Sequence, residues 1–200
     1  MYSLFNNQKP PATDLTVCVY GNPVLRRESA AITAITAEIR TLAEQMLATL
    51  PVADGIGLAA PQVGHSLALV VLDVPPPDQS EPGPTSPGEL ALLPRMPLVL
   101  VNPRLTNFSA EEDVASEGCL SLPGIEGTVQ RPSFVDLTCG DLAGNESTYR
   151  CGGLLARCLQ HEIDHLRGRL FIDHLSDEDR AAVKPTLTKL KRRGRKQAKA

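Results

Sequence analysis

No apolar run in these 200 residues approaches the roughly 18–20 that a membrane-spanning helix needs. Met1 to Pro11 lacks a basic start followed by an apolar stretch, which argues against a secretory signal. The same stretch is poor in arginine, which argues against an organellar transit peptide. The cysteines Cys18, Cys119, Cys139, Cys151 and Cys158 are odd in number and irregularly spaced, so they form no legible disulfide framework. A reduced set in the cytoplasm is expected, with Cys139 and Cys151, which flank a hairpin, as buried thiols. There is no internal repeat. Acidic side chains are missing from residues 184–200, which hold Lys184, Lys189, Lys191, Arg192, Arg193, Arg195, Lys196 and Lys199. The rest of the chain carries 12 basic and 23 acidic residues. A basic tail on an acidic body suits either an RNA partner or a solvated, frayed terminus. Neither a membrane nor DNA is expected as a partner.

The length and a hydrophobic fraction of 42% suit one globular domain with a real core. Val17 to Pro23 reads as a short strand entering a turn. Ile39, Leu42, Ala43, Met46, Leu47 and Leu50 recur at helical spacing, which predicts a helix over Thr36 to Leu50, ending near Pro51. Leu67 to Val74 is apolar and β-branched, as in a strand. Pro75 to Pro97 holds eight of the seventeen prolines and reads as a proline-rich loop. Leu98 to Asn102 is a strand closed by Pro103, and further strands are expected at Thr128–Val129, Phe134 to Cys139 and Ser147 to Cys151. A helix follows from Leu154 to Leu166, closed by Gly168. Ser176 caps a last helix, which Pro185 should kink or restart. Short strands with helices before and after them give an α+β class.

Chemistry concentrates in three segments. In His161-Glu162-Ile163-Asp164-His165, two histidines one helical turn apart can converge on one ion. Glu162 lies about 100° round the helix from His161, in reach of a metal-bound water without being a ligand. A third histidine at the spacing used by some zinc proteases would fall at position 171, where Phe171 stands. His174 sits in an expected surface turn, and His65 has no supporting motif. Cys158, one turn before His161, sits beside it and lines a pocket wall more readily than it completes a tetrahedron. Cys119, in Glu117-Gly118-Cys119-Leu120-Ser121, is the better third ligand, and a Cys-His-His set leaves a fourth position open for water. The third segment, Gly55-Ile56-Gly57-Leu58-Ala59-Ala60-Pro61-Gln62, lacks the lysine of a phosphate loop, but Gln62 offers an amide to a developing oxyanion.

These three segments, in this order, resemble the signature segments of peptide deformylases, and the resemblance runs from Gly21 to Leu175, including Arg131-Pro132. It implies an α+β fold with antiparallel or mixed sheets around a central metal-binding helix, plus a C-terminal helix. It implies one catalytic domain over 1–183, with the loop at 75–97, and a basic tail or helix over 184–200. The implied reaction is hydrolysis of the N-formyl group from the N-terminal methionine of newly made proteins, releasing formate. By resemblance Cys119, His161 and His165 hold one divalent metal, Fe²⁺ foremost, with Zn²⁺, Ni²⁺ or Co²⁺ as occupants. Glu162 is the implied base, and Gln62 and the Leu120 N–H hold the oxyanion. The substrate backbone and methionine pocket would draw on Ile56, Gly57, Gly118, Leu154, Arg157 and Cys158. Arg131 would order the surroundings of the site or the substrate path, with an acidic partner such as Glu117. The implied partners are N-formyl-Met nascent peptides and the ribosome near its exit tunnel, met through the basic tail. Two other classes fit parts of the pattern. A zinc endopeptidase would ignore the formyl group, and a ribosome-bound protein with a structural metal would not turn over.

Overall fold

The computed structural model describes residues 15–77, 83 and 86–199. The expectations placed on Met1 to Pro11, and on part of the proline-rich stretch, lie outside the described residues. Helix α1 (Ala37–Val52) starts at Thr36, whose hydroxyl accepts a hydrogen bond from the Ile39 N–H. It tolerates Pro51 because it ends one residue later. Strands β1 (Gly57–Ala59) and β2 (Leu69–Leu72) follow, then a short helix α2 (Pro87–Leu92). Strands β3 (Leu98–Thr106), β4 (Glu112–Gly118), β5 (Glu126–Pro132), β6 (Val135–Gly140) and β7 (Glu146–Cys151) precede α3 (Gly153–Leu166) and α4 (Asp177–Gln197). Among the described residues, no helix is long and apolar enough to cross a membrane.

The sheet of order β1-β2-β3-β6-β7 is antiparallel throughout, and β4-β5 form a separate antiparallel ribbon. All of β2 is buried, because both sheet faces are covered. Val70 and Leu72 pack against Leu155, Leu159 and Ile163 of α3, while Leu69 and Val71 pack against Leu42, Met46 and Leu50 of α1. Each such leucine contributes roughly 1.5–3 kcal/mol by leaving water. α3 is therefore a buried helix with its polar side turned toward β1 and the ribbon. A third cluster joins Leu122, Ile125 and Val129 of the ribbon to Leu170, Phe171 and Leu190.

Several elements differ from expectation. Val17 to Tyr20 is extended but is not a strand of either sheet. Its amides pair instead with two distant loops, Cys18 N–H with the Gln62 carbonyl at 2.7 Å and Tyr20 N–H with the Ser121 carbonyl at 2.8 Å. β3 runs through Pro103 to Thr106, because a register shift between Val101 and Arg104 spares the sheet the missing N–H. β4 was not expected at all, since Glu112-Asp113-Val114-Ala115-Ser116 has little strand propensity. The proline-rich stretch contains α2, opened by Ser86 and Glu89 in capping-box spacing. Cys139 and Cys151 are free buried thiols as expected, but they are not cross-strand neighbours. The register pairs them with Ser147 and Val135.

Through residue 197 the tail is helical and is not restarted at Pro185. α4 runs unbroken past Pro185, so the expected boundary between residues 183 and 184 falls inside it. Val183, Leu187, Leu190, Gly194 and Gln197 form a buried or half-buried stripe at helical spacing. Gln197 accepts from the Val19 N–H at 3.0 Å and donates to the Val17 carbonyl at 2.9 Å. All eight cations of residues 184–200 are exposed.

Candidate metal centre

Two helix positions and one loop position make the centre. α3 sets His161 and His165 one turn apart, with ring centroids 5.2 Å from each other. Cys119, just past the end of β4, brings its Sγ to 3.3 Å from His165 Nε2. The ligand atoms of Cys119, His161 and His165 all lie within 4.8 Å of one another, and no other such group occurs among the described residues. Cys158 stays on the cavity wall. His174 is elsewhere, bonded through Nε2 to Asp164 Oδ2 at 2.8 Å, and His65 is exposed.

Burial opposes charge on His161, yet its bonds to Cys119 and Glu117 raise it well above the ordinary histidine value. Burial, together with the charge of His161, takes His165 well below that value. The two rings are therefore shifted in opposite directions. Glu117 Oε2 meets His161 Nδ1 at 2.9 Å, which leaves Nε2 as the ligating nitrogen. Burial would lift the Glu117 carboxyl, but hydrogen bonds from Arg131 and His161 hold it far below the usual carboxylate range. Arg131 binds Glu117 through Nε at 2.6 Å and a terminal nitrogen at 2.9 Å, and reaches Asp164 at 2.9 Å. Arg157 adds a bond to Glu117 at 2.9 Å. The expected partnership of Arg131 with Glu117 is present, and Arg131 stands behind Glu117 rather than on the cavity wall.

A cavity of about 550 Å³ opens over the centre, lined in part by Gln62, Cys119, Leu120, His161 and Glu162. Ile56, Gly57, Gly118, Leu154, Arg157 and Cys158 line it too, so the structure brings the expected substrate residues to one place, Arg131 excepted. Glu162 is 3% exposed, and burial pushes its carboxyl up to about 7. Its Oε2 has no hydrogen-bond partner among the described residues. A buried acid poised near neutrality in a cavity is suited to taking up and giving back a proton. β1 crosses directly over it. A Cβ on Gly57 would lie 2.5 Å from Glu162 Oε1 and 2.9 Å from Cys158 Sγ, so only glycine fits there. The Gln62 side chain is oriented from both ends. Its Oε1 accepts from the Ala59 N–H at 2.8 Å, which turns Nε2 toward Cys119 Sγ at 3.5 Å and Ser121 Oγ at 3.4 Å.

The donor set fits a divalent metal. It offers one thiol sulfur and two imidazole nitrogens, a mixture that suits Fe²⁺, Zn²⁺, Ni²⁺ or Co²⁺ better than Mg²⁺ or Ca²⁺. Sequence reasoning missed the parts played by Asp164 and Ser121, both inside the motifs, and His174, set aside there as a ligand, is a hydrogen-bond partner of Asp164. The signal for Asp164 was Arg131 itself, a cation followed by proline in a strand, which needs more than one acid once buried.

Comparison with known proteins places these features. The family model for polypeptide deformylase matches residues 15–181. Peptide deformylase 2 of Gloeobacter violaceus is 45% identical over 179 residues, covering 90% of this chain and 86% of that protein. The peptide deformylase of Rhizobium meliloti is 44% identical over 176 residues, covering 88% and 93%. The crystal structure of a peptide deformylase from Synechococcus elongatus in complex with actinonin superposes with a TM-score of 0.72 at 38% identity, covering 89% of this chain and 87% of that one.

Proposed function

From the premise that this chain belongs to the polypeptide deformylase family, and so hydrolyses the N-formyl group from N-terminal methionine, we propose how its residues divide the work. Cys119, His161 and His165 hold the divalent metal on which this family depends, and we assign Fe²⁺ as the native ion. When bound there, the ion lowers the pKa of a water and polarises the formyl oxygen. Glu162 accepts the proton of the attacking water and returns it to the departing amine, for which a carboxyl near 7 is well placed. Gln62 Nε2, held by the Ala59 contact, donates to the oxyanion together with the Leu120 N–H. Glu117 keeps His161 in one tautomer, and Arg131 keeps Glu117 ionised. The methionine side chain lies against Leu154, Cys158 and the stem of Arg157, whose guanidinium is tied to Glu117 and to the Val129 carbonyl. Ile56, Gly57 and Gly118 face the peptide backbone. β1 is an edge strand, and Gly118 ends the ribbon, so an extended peptide can pair between them.

The observation that carries this reading is the convergence of the three ligand atoms beneath a cavity that also holds a buried, unpartnered Glu162 oxygen. Glu162→Gln tests it. Bound metal should stay stoichiometric while formate release from a formyl-Met peptide falls by roughly 10²–10⁴. Turnover near that of the parent, with metal retained, would remove Glu162 from the role.

We also assign the catalytic unit to residues 1–183 and a docking role to 184–200. With one stripe packed on the body, the exposed cations of α4 face outward as a strip suited to ribosomal RNA phosphates.

A further inference from the structure

The helix that carries His161, Glu162 and His165 has no cap of its own. Its N-cap is Gly152, which has no side chain, and its first turn contains no acid. Gly153 sits at φ 55°, and the backbone folds sharply into the helix there. Uncapped N-terminal amides in a buried helix are costly, so something must meet them.

The first of them is met by the proline-rich excursion. The Gly152 N–H donates to Ser86 Oγ at 2.9 Å. Ser86 in turn donates through Oγ to Glu89 Oε2 at 2.7 Å, and its own N–H reaches the same oxygen at 3.0 Å. Glu89 is 5% exposed, and its carboxylate lies against the first turn of α3. A Cβ on Gly153 would come within 2.7 Å of Glu89 Oε1, and one on Gly152 within 3.2 Å of Oε2. Gly88 admits α2 to the same spot, since a Cβ there would lie 2.5 Å from the Arg150 carbonyl and 2.6 Å from Cys151 Sγ. Three glycines, one from the excursion and two from the helix start, therefore make room for one buried carboxylate. That carboxylate sits at the positive end of the helix dipole.

We propose that Ser86 and Glu89 of the proline-rich excursion act as an external cap of the metal-binding helix, with Glu89 a positioning residue for the substrate pocket. The first turn of α3 carries Leu154, and the second carries Arg157 and Cys158, all on the cavity wall. The metal-site residues lie at the other end of the helix. Loss of the cap therefore loosens the wall and leaves the metal end in place. The pocket half of this inference rests on the assignment of Leu154 to the methionine wall given above.

The test uses Glu89→Gln and Ser86→Ala in the full chain, with Leu154→Ala as reference. Amide hydrogen exchange at residues 154–157 should quicken roughly tenfold in Glu89→Gln, with residues 161–165 unchanged. KM for a formyl-Met tripeptide should rise several-fold, while kcat stays within about twofold and metal content is constant. Ser86→Ala keeps the carboxylate and should move both readings the same way by less, and it serves if Glu89→Gln does not fold. Unchanged exchange at 154–157 would overturn the cap. Faster exchange with KM unmoved would overturn the positioning role, provided Leu154→Ala itself raises KM. If Leu154→Ala does not, the wall assignment has failed, and the exchange data alone decide the cap.

Discussion

Cys119 and Cys158 both approach the metal-binding helix, and their surroundings separate them. Cys119 Sγ faces His165 Nε2 and is half-buried at the cavity floor. Cys158 is buried against the Ile56 carbonyl, and burial raises its thiol well above the ordinary value. A thiolate is needed to bind metal, so the proposed assignment has a sharp consequence. Cys119→Ser should lose metal at least tenfold more readily than the parent in a competition titration, because a hydroxyl replaces a soft thiolate. Cys158→Ser should keep metal and change KM for formyl-Met peptides. The opposite ranking would exchange the two roles.

At the scale of the element, α4 is held to the body by a glycine and a glutamine. A Cβ on Gly194 would fall inside the contact distance of the Val19 and Tyr20 carbonyls. Two effects oppose each other in Gly194→Ala. Helix propensity favours alanine by about 1 kcal/mol, and overpacking against backbone costs about 1–3 kcal/mol. The second should win, because backbone carbonyls cannot rotate away as a side chain can. The melting temperature should therefore fall, by roughly 2–4 °C per kcal/mol of net loss. A rise would mean that the helix end is not docked in solution. The segment it holds also pairs with the Gln62 and Ser121 carbonyls, so the docking of α4 bears on the floor of the site.

The whole molecule combines an acidic body with a cationic helix, and each has its own solution signature. The carboxyls of Glu117 and Asp164 are buried, which alone would raise them, but their arginine and histidine partners hold them low. Groups lowered by folding contribute stability above the unfolded carboxylate range of about 4, and that contribution is lost as the pH falls through their folded values. Below about pH 5 the urea midpoint should therefore fall steeply. A flat profile down to pH 3 would mean these pairs add nothing net. The proposed ribosome contact is best tested by charge, since deleting residues 184–200 would also remove Leu190 and Gln197 from the body. Replacing Lys189, Arg192, Arg193 and Lys196 by glutamate should leave turnover of a short peptide unchanged and abolish co-sedimentation with ribosomes at low salt. For the parent, binding should fall by roughly 0.7–0.9 log units per log unit of salt for each neutralised phosphate. Equal sedimentation of both proteins would leave α4 as packing alone.

By itself the amino-acid sequence determined the helix of the metal site, the candidate ligands and base, and the family resemblance. Those features are local. Two histidines at helical spacing face one way in any helix, and Glu162 is carried along with them. α1, β2 and the cap of α4 were legible for the same reason, since periodicity and capping act within a few residues. Tertiary structure decided what depends on distant partners. The acid-rich segment of β4 becomes a strand only because β5 pairs with it along its whole length. β3 crosses Pro103 because a bulge accommodates it. α4 is a docked helix because Gly194 admits the backbone near Val19, and a charge count cannot show a close approach. Glu117 gains its importance only where Arg131, Arg157 and His161 meet it, and Glu89 only where two glycines leave a helix end for it to cover. Buried charge is stable only when paired, and the partners here lie tens of residues away in the chain.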